Sequence, residues 1–234
     1  MSTFAARVVP LRHPEWWLYA VAAAAGFVLV VDALAVEGMA AGTMRMPPGL
    51  DHWFLMVLAM MLPLAAPQAR LVSLRSLWER RHRAGALFTV GLVGVWLGVG
   101  AVLTAVVRVL GPGPPGWLVP VLLVAAASWQ VAPPRRRFLR RCGSVRLHAA
   151  DGAAADIDCV RAGVRAGGLC VAGCGVAMLP MAVLPMGPEA LLVTAGVLVV
   201  LLRERAAGPD PATRAGRPHE AVALLALALL VSLG

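Results

Sequence analysis

Long apolar runs alternate with short polar stretches along the whole chain. Seven apolar segments stand out, at about Trp16–Val36, Trp53–Ala69, Ala86–Leu110, Trp117–Ala132, Val164–Met186, Ala190–Leu202 and Ala221–Leu233. A helix needs ~20 residues, at 1.5 Å per residue, to cross ~30 Å of hydrocarbon. The first, third and fifth segments reach that length, and the second and fourth fall just short. The last two are short enough to need local thinning of the bilayer or help from neighbouring helices. The pattern predicts an all-α fold, a polytopic transmembrane helical bundle of six to seven spans. Residues 1–234 form one integral membrane domain.

The polar stretches set the orientation. All 21 basic residues are arginine, and only Arg45 and Arg108 fall on the loops of one side; the other 19 fall on the opposite side. Loops rich in positive charge stay cytoplasmic, so the N-terminus is expected inside and the C-terminus outside. Residues 133–163 form the largest loop on that inner side. Within it, Ala153–Arg165 places Ile157, Val160 and Val164 on one face, which predicts a helix lying along the membrane surface with Arg161 and Arg165 on lipid phosphates. Trp16 and Trp17, Trp53, and Trp117 with Trp129 sit at segment ends, the headgroup level that amphipathic rings prefer. Trp96 lies deep in the third segment. Gly94 and Gly98, four residues apart, suggest a small-residue face for close helix packing. Ala33-Leu34-Ala35 has the form of a signal-peptide cleavage site, but the apolar stretch before it is long for a signal peptide and Asp32 precedes it; segment one is expected to be retained as a span.

Composition supports this frame. Of 234 residues, 60% are hydrophobic and 14% charged, and the mean hydropathy is +0.79. An ordinary soluble domain carries ~25% charged residues. The net charge of +9 is mostly a topology signal, and no nucleic-acid partner is expected. The absence of lysine excludes a P-loop lysine or a lysine Schiff base. No base–nucleophile pair lies at membrane depth, so no enzyme activity is expected.

Candidate chemistry is concentrated in sulfur. Cys170, Cys174 and Met178 stand at i, i+4 and i+8 on one helix face, with Met181 near that line. Met56 and Met60 share a face of segment two, next to Met61. Pro63 frees the carbonyl of Ala59 in the same helix. Soft thiolate and thioether donors suit Cu(I), and Zn(II) only if imidazole or carboxylate joins them. Small cysteines and methionines also pack well in helix cores, a purely structural use. Met60, Met61 and Cys174 lie near the middles of their segments, so they can meet at one depth if segments two and five touch. Further donors lie in the outer loops: Glu37, Met39, Met44, Met46, Asp51 and His52 in one, Met186 and Glu189 in another. The inner loop holds Cys142, His148, Asp156, Asp158 and Cys159 without zinc-type spacing, and cytosolic thiols stay reduced.

Taken in order, these motifs resemble a family, the predicted metal-binding integral membrane proteins of bacteria, a domain family of unknown function. Ala59-Met60-Met61-Leu62-Pro63 matches its A-M-M-x-P helix. Gln130-Val-Ala-Pro133-Pro-Arg135 through Cys142 matches its Q-x-x-P-x-K-x-x-C-x-x-x-C loop, with Arg135 for lysine and Phe138 for the first cysteine. Cys170-Val-Ala-Gly173-Cys174-Gly175 is similar to its C-x-G-C-C helix, with one extra residue and Gly175 in place of the last cysteine. Glu204-Arg205 parallels a final E-K pair. The resemblance covers about residues 50–205. It implies a multi-pass protein of the bacterial plasma membrane that binds a soft metal ion, Cu(I) first, in metal delivery, sensing or transport. The expected ligands are Cys170 and Cys174, then Met178, Met60 and Met61, with Gln130, Pro133 and Cys142 at the inner mouth. The expected partners are the lipid bilayer, the metal ion and a membrane or soluble partner protein. Two alternatives carry no metal: a membrane scaffold or partner subunit, and a small-solute transporter lined by Asp32 and Gln130.

Overall fold

The structure, a computed structural model, describes residues 13–38, 49–111, 117–142, 151–184, 188–206 and 221–226. Met39, Met44, Met46, His148, Met186 and the end of segment seven lie outside the described residues, as do the side chains of Glu37, Cys142, Glu189, Glu204 and Arg205. Among the described residues seven helices form the body: α1 Trp16–Gly38, α2 Leu50–Arg75, α3 Arg81–Leu110, α4 Leu118–Val131, α5 Pro133–Cys142, α6 Gly152–Val183 and α7 Pro188–Ala206. A 3₁₀ turn, Trp78–Arg80, leads into α3, and residues 221–226 are helical. There is no strand among the described residues.

Among the described residues four helices are long and apolar enough to cross a membrane: Trp16–Ala35, Leu50–Arg75, Trp78–Val109 and Gly152–Val183. Two shorter apolar helices, Leu118–Val131 and Ala190–Arg203, accompany them. Segment two is therefore longer than its apolar core suggested, because α2 continues through the polar residues Gln68, Arg70 and Ser73 to Arg75. Side-chain hydroxyls along the helices are satisfied locally. Thr89, Thr104 and Ser128 each donate to the carbonyl four residues back in their own helix, which satisfies these three donors without water.

α3 is the common neighbour. α6 packs closely along it, α2 packs on another side, and α1 packs on α2. α4 and α5 lie against α6. The backbones of α3 and α6 touch where side chains are absent. A Cβ on Gly163 would collide with the Phe88 carbonyl, and one on Gly91 with the Val160 carbonyl. A Cβ on Gly167 would come within 3.1 Å of the Leu92 carbonyl. Gly94 and Gly98, expected to form the packing face, instead have nothing within 4 Å of a built Cβ and lie on the exposed side of α3. The reason is register: Phe88, Leu92 and Trp96 point inward, so the glycines two residues along point out.

The stretch Ala153–Arg165 is also different from its expectation. It is not a separate surface helix but the first turns of α6, and Pro133–Cys142 is helical rather than loop. Its buried line is Ala155, Cys159, Gly163 and Ala166, whereas Ile157 and Val164 are exposed. Small residues win the interface because they let α6 approach α3.

Charge pairs hold one end of the bundle. Glu15 stands 3.6 Å from Arg70, joining the start of α1 to the end of α2. Asp156 of α6 pairs with Arg80 and with Arg83, and Arg80 also donates to the Gly152 carbonyl at 3.0 Å. Arg81 lies over the Trp78 ring at 3.7 Å, a cation–π contact. The starts of α1, α3 and α6 and the end of α2 thus share one arginine-rich end.

Candidate metal centre

The sulfur-bearing helices α2 and α6 are the two most inward-facing of the long helices. Along α2, Trp53, Met56, Val57, Met60, Met61 and Leu64 are all buried. Spacing of three and four residues brings them to one face. Pro63 and Pro67 lie inside this helix. Each lacks an N–H, so the carbonyls of Ala59 and Pro63 lose their helical partners. Along α6, Cys170, Cys174, Ala177, Met178 and Met181 are buried on one side. Every expected ligand therefore faces the interior: Met60 and Met178 are 0% exposed, Met61 1%, Cys174 5% and Cys170 6%.

The decisive contact is between sulfurs of two helices. Cys170 Sγ lies 3.7 Å from Met61 Sδ, both buried. Segments two and five do meet, but through these side chains rather than along their backbones, because α3 is the helix that both pack against. The meeting point also sits one helical turn before Cys174, at Cys170. Cysteines 159, 170 and 174 are all unoxidised thiols. Cys159 lies near the arginine-rich end, well away in sequence from this pair.

The surroundings are aromatic and cationic. Trp53, which opens segment two, is 4% exposed, and its Nε1 donates to the Trp96 carbonyl at 2.9 Å. The two indoles stand 6.3 Å apart at 42°. Trp53 turns inward because Gly100 leaves space for its ring, where a Cβ would strike the indole. His52 is half-buried at the start of α2, and its Nδ1 has no hydrogen-bond partner among the described residues. His52, Met56 and Met60 follow one another at i, i+4 and i+8, so an imidazole and two thioethers lie along one face of α2.

Arg135 is the residue that sequence reading placed least well. It reads as the lysine position of an inner-loop motif, yet it is 2% exposed, and its Nε donates to the Gly173 carbonyl at 2.9 Å. Gly173 lies between Cys170 and Cys174. The placement follows from α4 and α5. α4 stops at Val131, Pro133 opens α5 with its preset φ, and Arg135 is carried against α6. Gln130, one turn earlier, is buried with Oε1 unpartnered among the described residues, while Pro133 itself is exposed.

A copper chaperone family, PpoB2, matches residues 50–231. The chain belongs to this copper chaperone family. The match takes in α2 through α7 and so contains every sulfur and polar residue of the centre just described. No curated protein and no solved structure matches the chain. The donor chemistry fits the copper chaperone family. A metal–thiolate bond is ~2.3 Å for a tetrahedral d¹⁰ ion, so two sulfurs 3.7 Å apart are close enough for one ion to touch both. Among the described residues no three His, Cys, Asp or Glu side chains gather into one group. The donors that do meet are a thiol and a thioether, the soft kind that favours Cu(I) over Zn(II).

Proposed function

We propose that this protein is a multi-pass protein of the plasma membrane that holds Cu(I) at the meeting of α2 and α6 and delivers it to an acceptor protein. Cys170 and Cys174 supply the thiolates and Met61 a thioether, with Met60 and Met178 lining the same interior. The observation that carries this reading is the buried Cys170–Met61 sulfur contact at 3.7 Å, which joins the two motif-bearing helices. The copper chaperone family match supports it. Delivery is favoured over sensing or storage by the mixed donor set. A thioether is neutral and holds Cu(I) less firmly than a thiolate, so a mixed site binds the ion yet can release it to an acceptor that offers more thiolates. The bilayer and the acceptor protein are the partners this role requires.

Copper analysis of protein purified in detergent under reducing conditions tests the proposal. About one equivalent of Cu(I) is expected, against a small fraction of that in the Cys170→Ser/Cys174→Ser double variant. Equal copper in both, or retention of Zn(II) in preference, overturns it.

A further inference from the structure

The sulfur pair divides α2 and α6 into unlike halves. The end of α2 and the start of α6 lie at the arginine-rich end, so α2 runs toward that end and α6 away from it. From the Cys170–Met61 contact toward the opposite end, soft donors recur on both helices. Met60 and Met56 follow on α2, Cys174, Met178 and Met181 on α6, and all are buried. Toward the arginines the pattern stops. There α2 buries Leu64, Ala65, Ala69 and Val72. The next buried sulfur on α6 is Cys159, about 16 Å from Cys170 along the helix axis. The line on α2 begins at His52. Its Nδ1 is buried without a hydrogen-bond partner among the described residues, and the charges of Asp51 and Asp32 reach the ring. A buried polar atom left unpaired is costly. With the ring proton on Nε2, that nitrogen instead offers a lone pair to a cation. Residues at i and i+4 are neighbours on a helix surface, and side chains tilt toward the helix start. That tilt inclines Met60 toward Met56 and Met56 toward His52.

We propose that Cu(I) enters from the end opposite the arginines, is received by His52, and passes along Met56 and Met60 to the Cys170–Met61 pair. This rests on the Cu(I) reading of Cys170 and Cys174, and adds an entrance and a direction to it. The arginine bias makes the entrance the outer face of the membrane. Asp51 and Asp32 raise the local concentration of cations at the mouth. Each handover along α2 exchanges one neutral donor for another, with no change of charge or oxidation state. An ion held by neutral donors alone keeps its full positive charge, which a buried interior disfavours. A thiolate compensates that charge. The path is therefore sparsely occupied, and the ion runs on to the cysteines, which hold the resting copper.

Loading kinetics of the copper-free, reduced, full-length protein in detergent test the path. Cu(I) is presented as its complex with a chromogenic chelator. The decay of the chelator colour gives the rate, and the end-point gives the affinity. His52→Gln keeps a polar side chain but removes the imidazole, and Met56→Leu conserves core volume. Each is expected to slow loading roughly tenfold, by raising the barrier to entry. A residue on the path lowers the barrier in both directions, so the end-point affinity should stay within about threefold of wild type, as for independent sites. Cys159→Ser, on the arginine side, should load at the wild-type rate. Wild-type rates in both His52→Gln and Met56→Leu overturn the proposal, as does slow loading in Cys159→Ser alone. An affinity that falls as far as the rate makes the residue a support of the deep site and also overturns the path. If His52→Gln does not fold, Met56→Leu carries the test. Wild type without cysteine-dependent uptake fails the Cu(I) reading itself, and the path with it. Cysteine-dependent uptake at an unchanged rate in the variants fails the path alone.

Discussion

The arginine-rich end and the sulfur-bearing interior hold helices together by different means. At the end, Asp156 meets Arg80 and Arg83, and Glu15 meets Arg70. Arg83 and Arg70 are substantially exposed, and such pairs contribute roughly 0–1 kcal/mol each because water screens them. In the interior, α3 and α6 touch backbone to backbone at Gly91 and Gly163, and α2 reaches α6 through Met61 and Cys170. Dense packing there transmits every added atom. The end tolerates change; the interior fixes both the fold and the chemistry.

The contrast breaks most readily at Gly163. A leucine there must displace the Phe88 carbonyl, and overpacking of this kind costs about 3 kcal/mol or more. Gly163→Leu should lose roughly 10 °C or more in thermal unfolding, or fail to accumulate as folded protein. Gly94→Leu, on the open side of the same helix, should stay within ~0.5 kcal/mol of wild type. Equal damage at both positions would mean that α3 and α6 do not pack as described.

Met61→Leu separates chemistry from packing. It preserves volume, so stability should change by less than ~1.5 kcal/mol. Cu(I) affinity should fall about tenfold, equivalent to about 1.4 kcal/mol. A variant that binds copper normally would remove Met61 from the site and leave it as core. The smallest effect is expected at the arginine-rich end. Asp156→Asn should cost about 1 kcal/mol, a few degrees in melting temperature. The difference from wild type should shrink at high salt, and copper content should not change. A loss of copper in Asp156→Asn would couple the two regions and contradict their separation.

Much of this was legible in the sequence. Apolar run length alone predicts the long helices α1, α3 and α6, and helical spacing puts Cys170, Cys174 and Met178 on one buried face. Met60, Met61 and Cys174 lie at similar depths in their segments, so a meeting of α2 and α6 is a readable expectation. What was hidden depends on register and on partners distant in sequence. Trp53 reads as an interfacial ring until Gly100, 47 positions along the chain, leaves a space for it. Gly94 and Gly98 read as a packing pair, but Phe88, Leu92 and Trp96 fix which face of α3 turns inward. The line Ala155, Cys159, Gly163 and Gly167, four residues apart throughout, was a visible signal of close packing. It was obscured by the larger apolar residues Ile157 and Val164 on the other face. Arg135 was hidden most deeply, because an arginine among four others between positions 135 and 141 reads as a solvated inner loop. Only the break between α4 and α5 turns it inward.

The central claim is that sulfur from both α2 and α6 surrounds the copper. X-ray absorption at the copper edge of the Cu(I)-loaded protein tests it most directly. The account predicts a nearest shell of sulfur alone, which loses intensity in Met61→Leu and in Cys170→Ser. A nearest shell of nitrogen or oxygen, or a sulfur shell unchanged in both variants, would contradict it.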